Sequence, residues 1–68
     1  MDDQIGTFAA RLRALRLAYP MSLRELAEAA GLDDSAIYYL ESGRRLPTWE
    51  TVCKLAEALD VSTEAFRQ

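Results

Sequence analysis

The sequence predicts an all-α fold, a compact bundle of five short helices, and three observations predict it. Apolar residues recur at helical steps of three and four, as at Phe8, Leu12 and Leu15. Residues that open helices (Ser22, Thr48, Ser62) and residues that end them (Gly31, Gly43) punctuate these runs at short intervals. Half of the 68 residues are apolar and 28% are charged, a balance that folds instead of remaining disordered.

The first helix covers about residues 3–18. Phe8, Leu12, Leu15 and Tyr19 fall on one face and are expected to point inward, while Arg11, Arg13 and Arg16 project elsewhere. Pro20 disfavours helical geometry at Tyr19 and so ends this element. Ser22, followed three residues later by Glu25, forms a capping box that opens a second helix over 23–30. Leu23, Leu26, Ala27 and Ala30 are its apolar stripe, and Gly31 stands where a left-handed residue would stop it. The third helix, over 34–42, is capped by Asp33 or Asp34, buries Ile37 and Leu40, and ends at Ser42-Gly43.

A loop through Arg44, Arg45, Leu46 and Pro47 leads to Thr48, better placed than Thr51 to cap a fourth helix over 49–59. Its core stripe is Val52, Leu55, Ala56 and Leu59. Ser62 caps a last short helix over 63–67 that carries Ala65 and Phe66. Trp49 is expected to pack over the loop, with a dimer contact as the alternative, and Cys53, beside the core stripe, reads as a small buried or half-buried hydrophobe. With no repeat, linker or low-complexity tract, residues 1–68 read as one domain.

Several function classes are excluded at this level. No apolar run approaches the roughly 18 to 20 residues that cross a bilayer, and the acidic start Met1-Asp2-Asp3 lacks the positive charge of a signal peptide. A cytoplasmic protein without membrane contact is the expectation. One cysteine cannot make an intramolecular disulfide, and without histidine there is no zinc site of the Cys/His kind, so no metal is expected. The lack of histidine also removes Ser-His-Asp and Cys-His catalysis, and no glycine-rich phosphate loop replaces them. Neither an enzyme nor a cofactor is expected.

Two helices joined by about three residues around Gly31, the second with a polar outer face, describe a helix-turn-helix. Residue type strengthens that reading. Ala27 lets the third helix cross close over the second, Gly31 takes positive φ at low cost, and Leu26, Leu32, Ile37 and Leu40 close a small core between them.

The run Met21-Ser22-Leu23-Arg24-Glu25-Leu26-Ala27, with Gly31-Leu32, Ile37, Leu40-Glu41-Ser42-Gly43-Arg44-Arg45 and Pro47-Thr48, resembles the phage-repressor/Cro-like (Xre-type) helix-turn-helix family. The resemblance covers nearly the whole chain. It implies a lambda-repressor-like fold of five helices whose third enters the major groove of double-stranded DNA, in a transcriptional regulator, a repressor, acting as a homodimer. A self-contained repressor or controller protein and the N-terminal domain of a longer regulator both fit.

Carried over by position, the family's base-reading residues fall at Asp34, Ser35 and Tyr39, with Ala36 and Tyr38 as neighbours. Phosphate contacts are implied for Ser22 and the amides opening the second helix at Leu23, and for Arg44 and Arg45, with Arg11 and Arg13 as further candidates. Arg16 and Glu41 match an arginine and a glutamate that pair in several members and tie the first helix to the third.

Two departures stand out. Many members carry glutamine where this sequence has Leu23, and Asp33-Asp34 sets two carboxylates at the tip of the helix that should approach a polyanion. Asp33 reads better as a helix cap. Asp34 is open between favouring the positive end of its helix and accepting a hydrogen bond from cytosine N4. Tyr38 and Tyr39 cannot both face inward, so at least one is exposed to meet a thymine methyl group, a sugar or a protein. The net charge of -3 opposes phosphate binding unless the basic residues are gathered on one side. The alternative to DNA binding is a protein-interaction module on the same fold, an antitoxin or accessory regulator, using the acidic, tyrosine-bearing third helix.

Overall fold

The computed structural model describes residues 4–66. Four α-helices follow one another, α1 (Gln4–Ala18), α2 (Leu23–Ala30), α3 (Asp34–Glu41) and α4 (Trp49–Ala58), and a 3-10 turn (Thr63–Phe66) comes last. The expectation of five helices is corrected to four helices and that turn. Four residues are too few for a ladder of i to i+4 bonds, and the Ala65 amide instead donates to the Ser62 carbonyl three residues back at 3.0 Å. The expected starts and ends at Asp3 and Arg67 lie outside the described residues. α3 and α4 each stop one residue before the expected boundary, with Ser42 and Leu59 as caps at ψ near zero.

Capping sets where the helices begin. The Ser22 side chain accepts from the Glu25 amide at 3.0 Å while the Ser22 amide donates to Glu25 Oε1 at 2.8 Å, a complete capping box. Thr48 accepts from the Thr51 amide at 3.1 Å. Asp33 holds the N-cap position of α3 with extended backbone, but its side chain makes no capping hydrogen bond, which corrects the expectation of a side-chain cap there.

The exits share one geometry. At the end of α2 the Leu32 amide reaches the Ala27 carbonyl at 2.8 Å; after α3 Arg44 reaches Tyr39 at 3.0 Å; after α4 Val61 reaches Ala56 at 3.0 Å. These are the six-to-one bonds of a Schellman motif, which needs a left-handed residue just before the donor. Gly31 (φ 72°), Gly43 (φ 77°) and Asp60 (φ 57°) supply it.

Leu12, Leu26, Ile37, Leu40 and Leu55 are the largest fully buried side chains, with Ala27, Ala30 and Ala56 filling the close approaches between helices. α3 packs on α2 and α1, and α4 packs on α2 and the 3-10 turn. Phe66 is buried with its ring 5.1 Å from that of Phe8, which fastens the end of the described chain to α1. Two apolar expectations fail. Tyr19 lies beyond the last turn of α1 and is 48% exposed, because the chain turns at Pro20 before its ring can reach the core. Trp49, at the first position of α4, is 68% exposed and does not pack under the loop.

Candidate nucleic-acid interface

The start of α2 and the outer face of α3 form one open groove. Ser22, Leu23 and Arg24 line one side of it. Asp34, Ser35, Tyr38 and Tyr39 line the other. The three-residue turn at Gly31 crosses the two helices so that these positions, distant in sequence, converge.

The α2 side offers donors. Ser22 Oγ accepts one bond within the capping box, which leaves its hydroxyl proton free to donate outward. The amides of Leu23 and Arg24 open the helix and have no partner one turn earlier. Leu23 is half-buried and packed against the core, so its side chain is an apolar wall, and only its backbone amide can meet a phosphate.

On the α3 side, Asp34 and Ser35 are exposed, and Tyr38 and Tyr39 are both on the surface with their rings edge to face, centroids 5.6 Å apart. Gly43 turns the chain back so that Arg45 places its guanidinium 5.5 Å from the Tyr39 ring centroid. Arg44 is exposed beside it. A second concavity continues from Leu23 and Tyr38 toward Arg13, Arg16, Glu41 and Ser42. Arg11, two residues before Arg13, is exposed but turned about 200° round α1, so the two arginines do not share a face. Ala36 lies off the groove, half-buried beside Leu32 and Leu40.

Arg16 fixes α3 relative to α1. Its Nε donates to Glu41 Oε2 at 2.7 Å, its Nη2 to Glu41 Oε1 at 3.1 Å and its Nη1 to the Met21 carbonyl at 2.9 Å, with both side chains largely buried. The hydrogen bonds to Glu41 raise the Arg16 pKa above its ordinary value; burial opposes this and the carboxylate charge adds to it. The guanidinium is therefore held charged.

Arg24 is the groove residue that reading the sequence missed. It sits next to Ser22 at the opening of α2, makes an exposed 3.7 Å pair with Glu28, and faces Asp33 and Asp34 across a shallow neighbouring concavity. Its position directly after the capping serine and one leucine was the available signal. Of the carboxylates, Glu50, Glu57, Asp60 and Glu64 lie on α4 and after it, while Glu25, Glu28, Asp33, Asp34 and Glu41 lie on α2, α3 and the turn between them. Charge around the groove is thus mixed, with Arg13, Arg24, Arg44 and Arg45 standing among Glu28, Asp33 and Asp34.

A four-helix domain with this turn and this exposed second helix is a helix-turn-helix domain, and the chain belongs to the helix-turn-helix domain family, whose sequence model matches residues 7–68. Its class is DNA-binding transcription regulation, without enzymatic activity. The restriction-modification controller protein C.AhdI from Aeromonas hydrophila is 35% identical with a TM-score of 0.91, over 96% of this chain and 98% of that one. The clp gene regulator ClgR from C. glutamicum is 29% identical with a TM-score of 0.90, over 97% of this chain and 86% of that one. An HTH_3 family transcriptional regulator from Vibrio cholerae is 30% identical with a TM-score of 0.90; 96% of this chain matches 38% of that one. No curated protein matches the chain. Among the described residues, no helix is long and apolar enough to cross a membrane.

Proposed function

We propose that the chain represses transcription by binding a specific double-stranded DNA site as a homodimer, with α3 in the major groove. The observation that carries this is the groove between α2 and α3, where Ser22 and the α2 amides offer donors on one side and exposed base-reading candidates stand on the other. Ser22, the Leu23 amide, Arg44 and Arg45 grip phosphates, and Arg13 and Arg24 extend that grip along the groove. Asp34, Ser35, Tyr38 and Tyr39 face base edges. Similar structures that include a controller protein, a gene regulator and a transcriptional regulator support the reading.

In the homodimer, exposed Leu46 and Trp49 are apolar surface available to the second copy, and two α3 helices would meet half-sites about 34 Å apart. Selection of duplexes from a random library, followed by fluorescence anisotropy at several salt concentrations, tests this. Enrichment of a two-fold-symmetric site with salt-dependent affinity is expected; no enrichment and no salt dependence would overturn it.

The protein-interaction alternative is favoured by Asp33 and Asp34 at the exposed tip of α3 beside two surface tyrosines. It wins if Tyr39→Ala and Arg44→Ala leave DNA affinity unchanged while abolishing capture of a protein partner.

A further inference from the structure

The chemistry of the groove points to the base it accepts. Leu23 is fixed against the core, and Tyr38 is braced edge-on by Tyr39, whose ring lies in turn beneath Arg45. These contacts make one part of the groove an apolar wall of defined shape. Asp34 lines the same groove, exposed, and its carboxylate makes no hydrogen bond or ion pair with the described residues. When ionised it only accepts hydrogen bonds.

In the major groove an acceptor meets a donor on two bases, at N4 of cytosine and N6 of adenine. Adenine sets the acceptor N7 beside N6, which a carboxylate repels, and thymine and guanine offer acceptors at O4 and O6. Cytosine sets only the apolar C5 edge beside N4. A carboxylate next to an apolar wall therefore complements cytosine and not adenine, and a pyrimidine C5 methyl group beside that donor would meet apolar surface.

We infer that the groove reads an amino donor flanked by a methyl group: Asp34 accepts from cytosine N4, and Leu23 with Tyr38 receives a pyrimidine C5 methyl. This rests on α3 being the base-reading helix. The methyl comes from a thymine next to the cytosine or from the cytosine itself when it is 5-methylated. Leu23 is the specificity-determining residue for the methyl and Asp34 for the amino group.

The test uses a duplex selected by the full chain, with each thymine replaced singly by uracil and each cytosine singly by 5-methylcytosine. At one position per half-site, removing a methyl weakens binding about fourfold or adding one tightens it about fourfold, the ratio expected for burying one methyl group. The uracil series reports a thymine source and the 5-methylcytosine series a cytosine source. Asp34→Asn, at an exposed position, erases a preference of about tenfold for cytosine at that step. Leu23→Ala, checked for native helix content by circular dichroism, abolishes the methyl effect.

The DNA substitutions leave the protein intact, so misfolding cannot imitate the result. Duplexes that bind with salt dependence but ignore every methyl change, or a cytosine preference that survives Asp34→Asn, overturn this inference and leave the proposed function standing. A chain that enriches no duplex overturns both.

Discussion

Arg16 satisfies three acceptors at once, two on Glu41 and one on the Met21 carbonyl, which a planar guanidinium can do and an ammonium cannot. Glu41→Ala would leave a largely buried cation without its partner and is expected to cost about 3 kcal/mol, read as a shift in the urea midpoint. Arg16→Lys should fail to restore what Arg16→Ala loses. Because the folded pKa of Arg16 is raised, the stability linked to its protonation is full below its unfolded value, as long as Glu41 is ionised, and is lost as strongly alkaline pH rises through the raised value. Urea midpoints across neutral pH should therefore be insensitive to this group. Around the groove, Arg44→Ala and Arg45→Ala should each lower the slope of log affinity against log salt by about 0.9. Tyr39→Phe keeps the ring beneath Arg45 and should bind like the parent, whereas Tyr39→Ala should weaken binding to all duplexes through the arginine it orients. Residue types that recur in the family made most groove positions readable from the sequence. Arg24 escaped although it follows the capping serine and one leucine, because its place opposite Asp33 and Asp34 depends on how α2 and α3 cross.

Among the elements, helix starts were more legible than helix ends. A capping serine or threonine acts within three residues, so Ser22 and Thr48 could be read directly from their neighbours. Asp33 shows the limit of that reading, since the N-cap position alone does not decide whether a carboxylate turns back to the helix. Ser22→Ala should cost about 1 kcal/mol in thermal or urea unfolding, and Asp33→Ala markedly less. At the ends, two of the three left-handed positions are glycines and visible as such; the third is Asp60, which looks like any polar surface residue. Asp60→Gly should raise stability by up to about 1 kcal/mol, because glycine reaches positive φ without the strain an L side chain meets there. Gly31→Ala should do the reverse by about 1 kcal/mol from backbone strain alone, since a Cβ at Gly31 would meet nothing within 4 Å. The 3-10 turn was misread as a helix because Ser62, Ala65 and Phe66 carry the right residue types over too short a span.

For the molecule as a whole, the packing of Phe66 on Phe8 joins distant parts of the chain and adds an aromatic ring to a core otherwise built of leucine, isoleucine and alanine. Phe66→Ala should cost about 3 to 4 kcal/mol, most of the stability expected of so small a fold, and the melting transition should fall and broaden accordingly. The bundle was legible in outline from its apolar stripes; which aromatic rings closed it was not, as Tyr19 and Trp49 show by facing solvent.

The mixture of charge at the groove bears on how the domain would meet a polyanion. Beyond a screening length of about 10 Å the overall charge of -3 acts only weakly on an approaching duplex. Inside that distance individual charges are felt, and Asp33 and Asp34 oppose a phosphate that Arg24, Arg44 and Arg45 attract. A duplex bound through this groove would hold by fit more than by bulk attraction, so stray encounters would end quickly and the search for a target would favour brief hops over long slides.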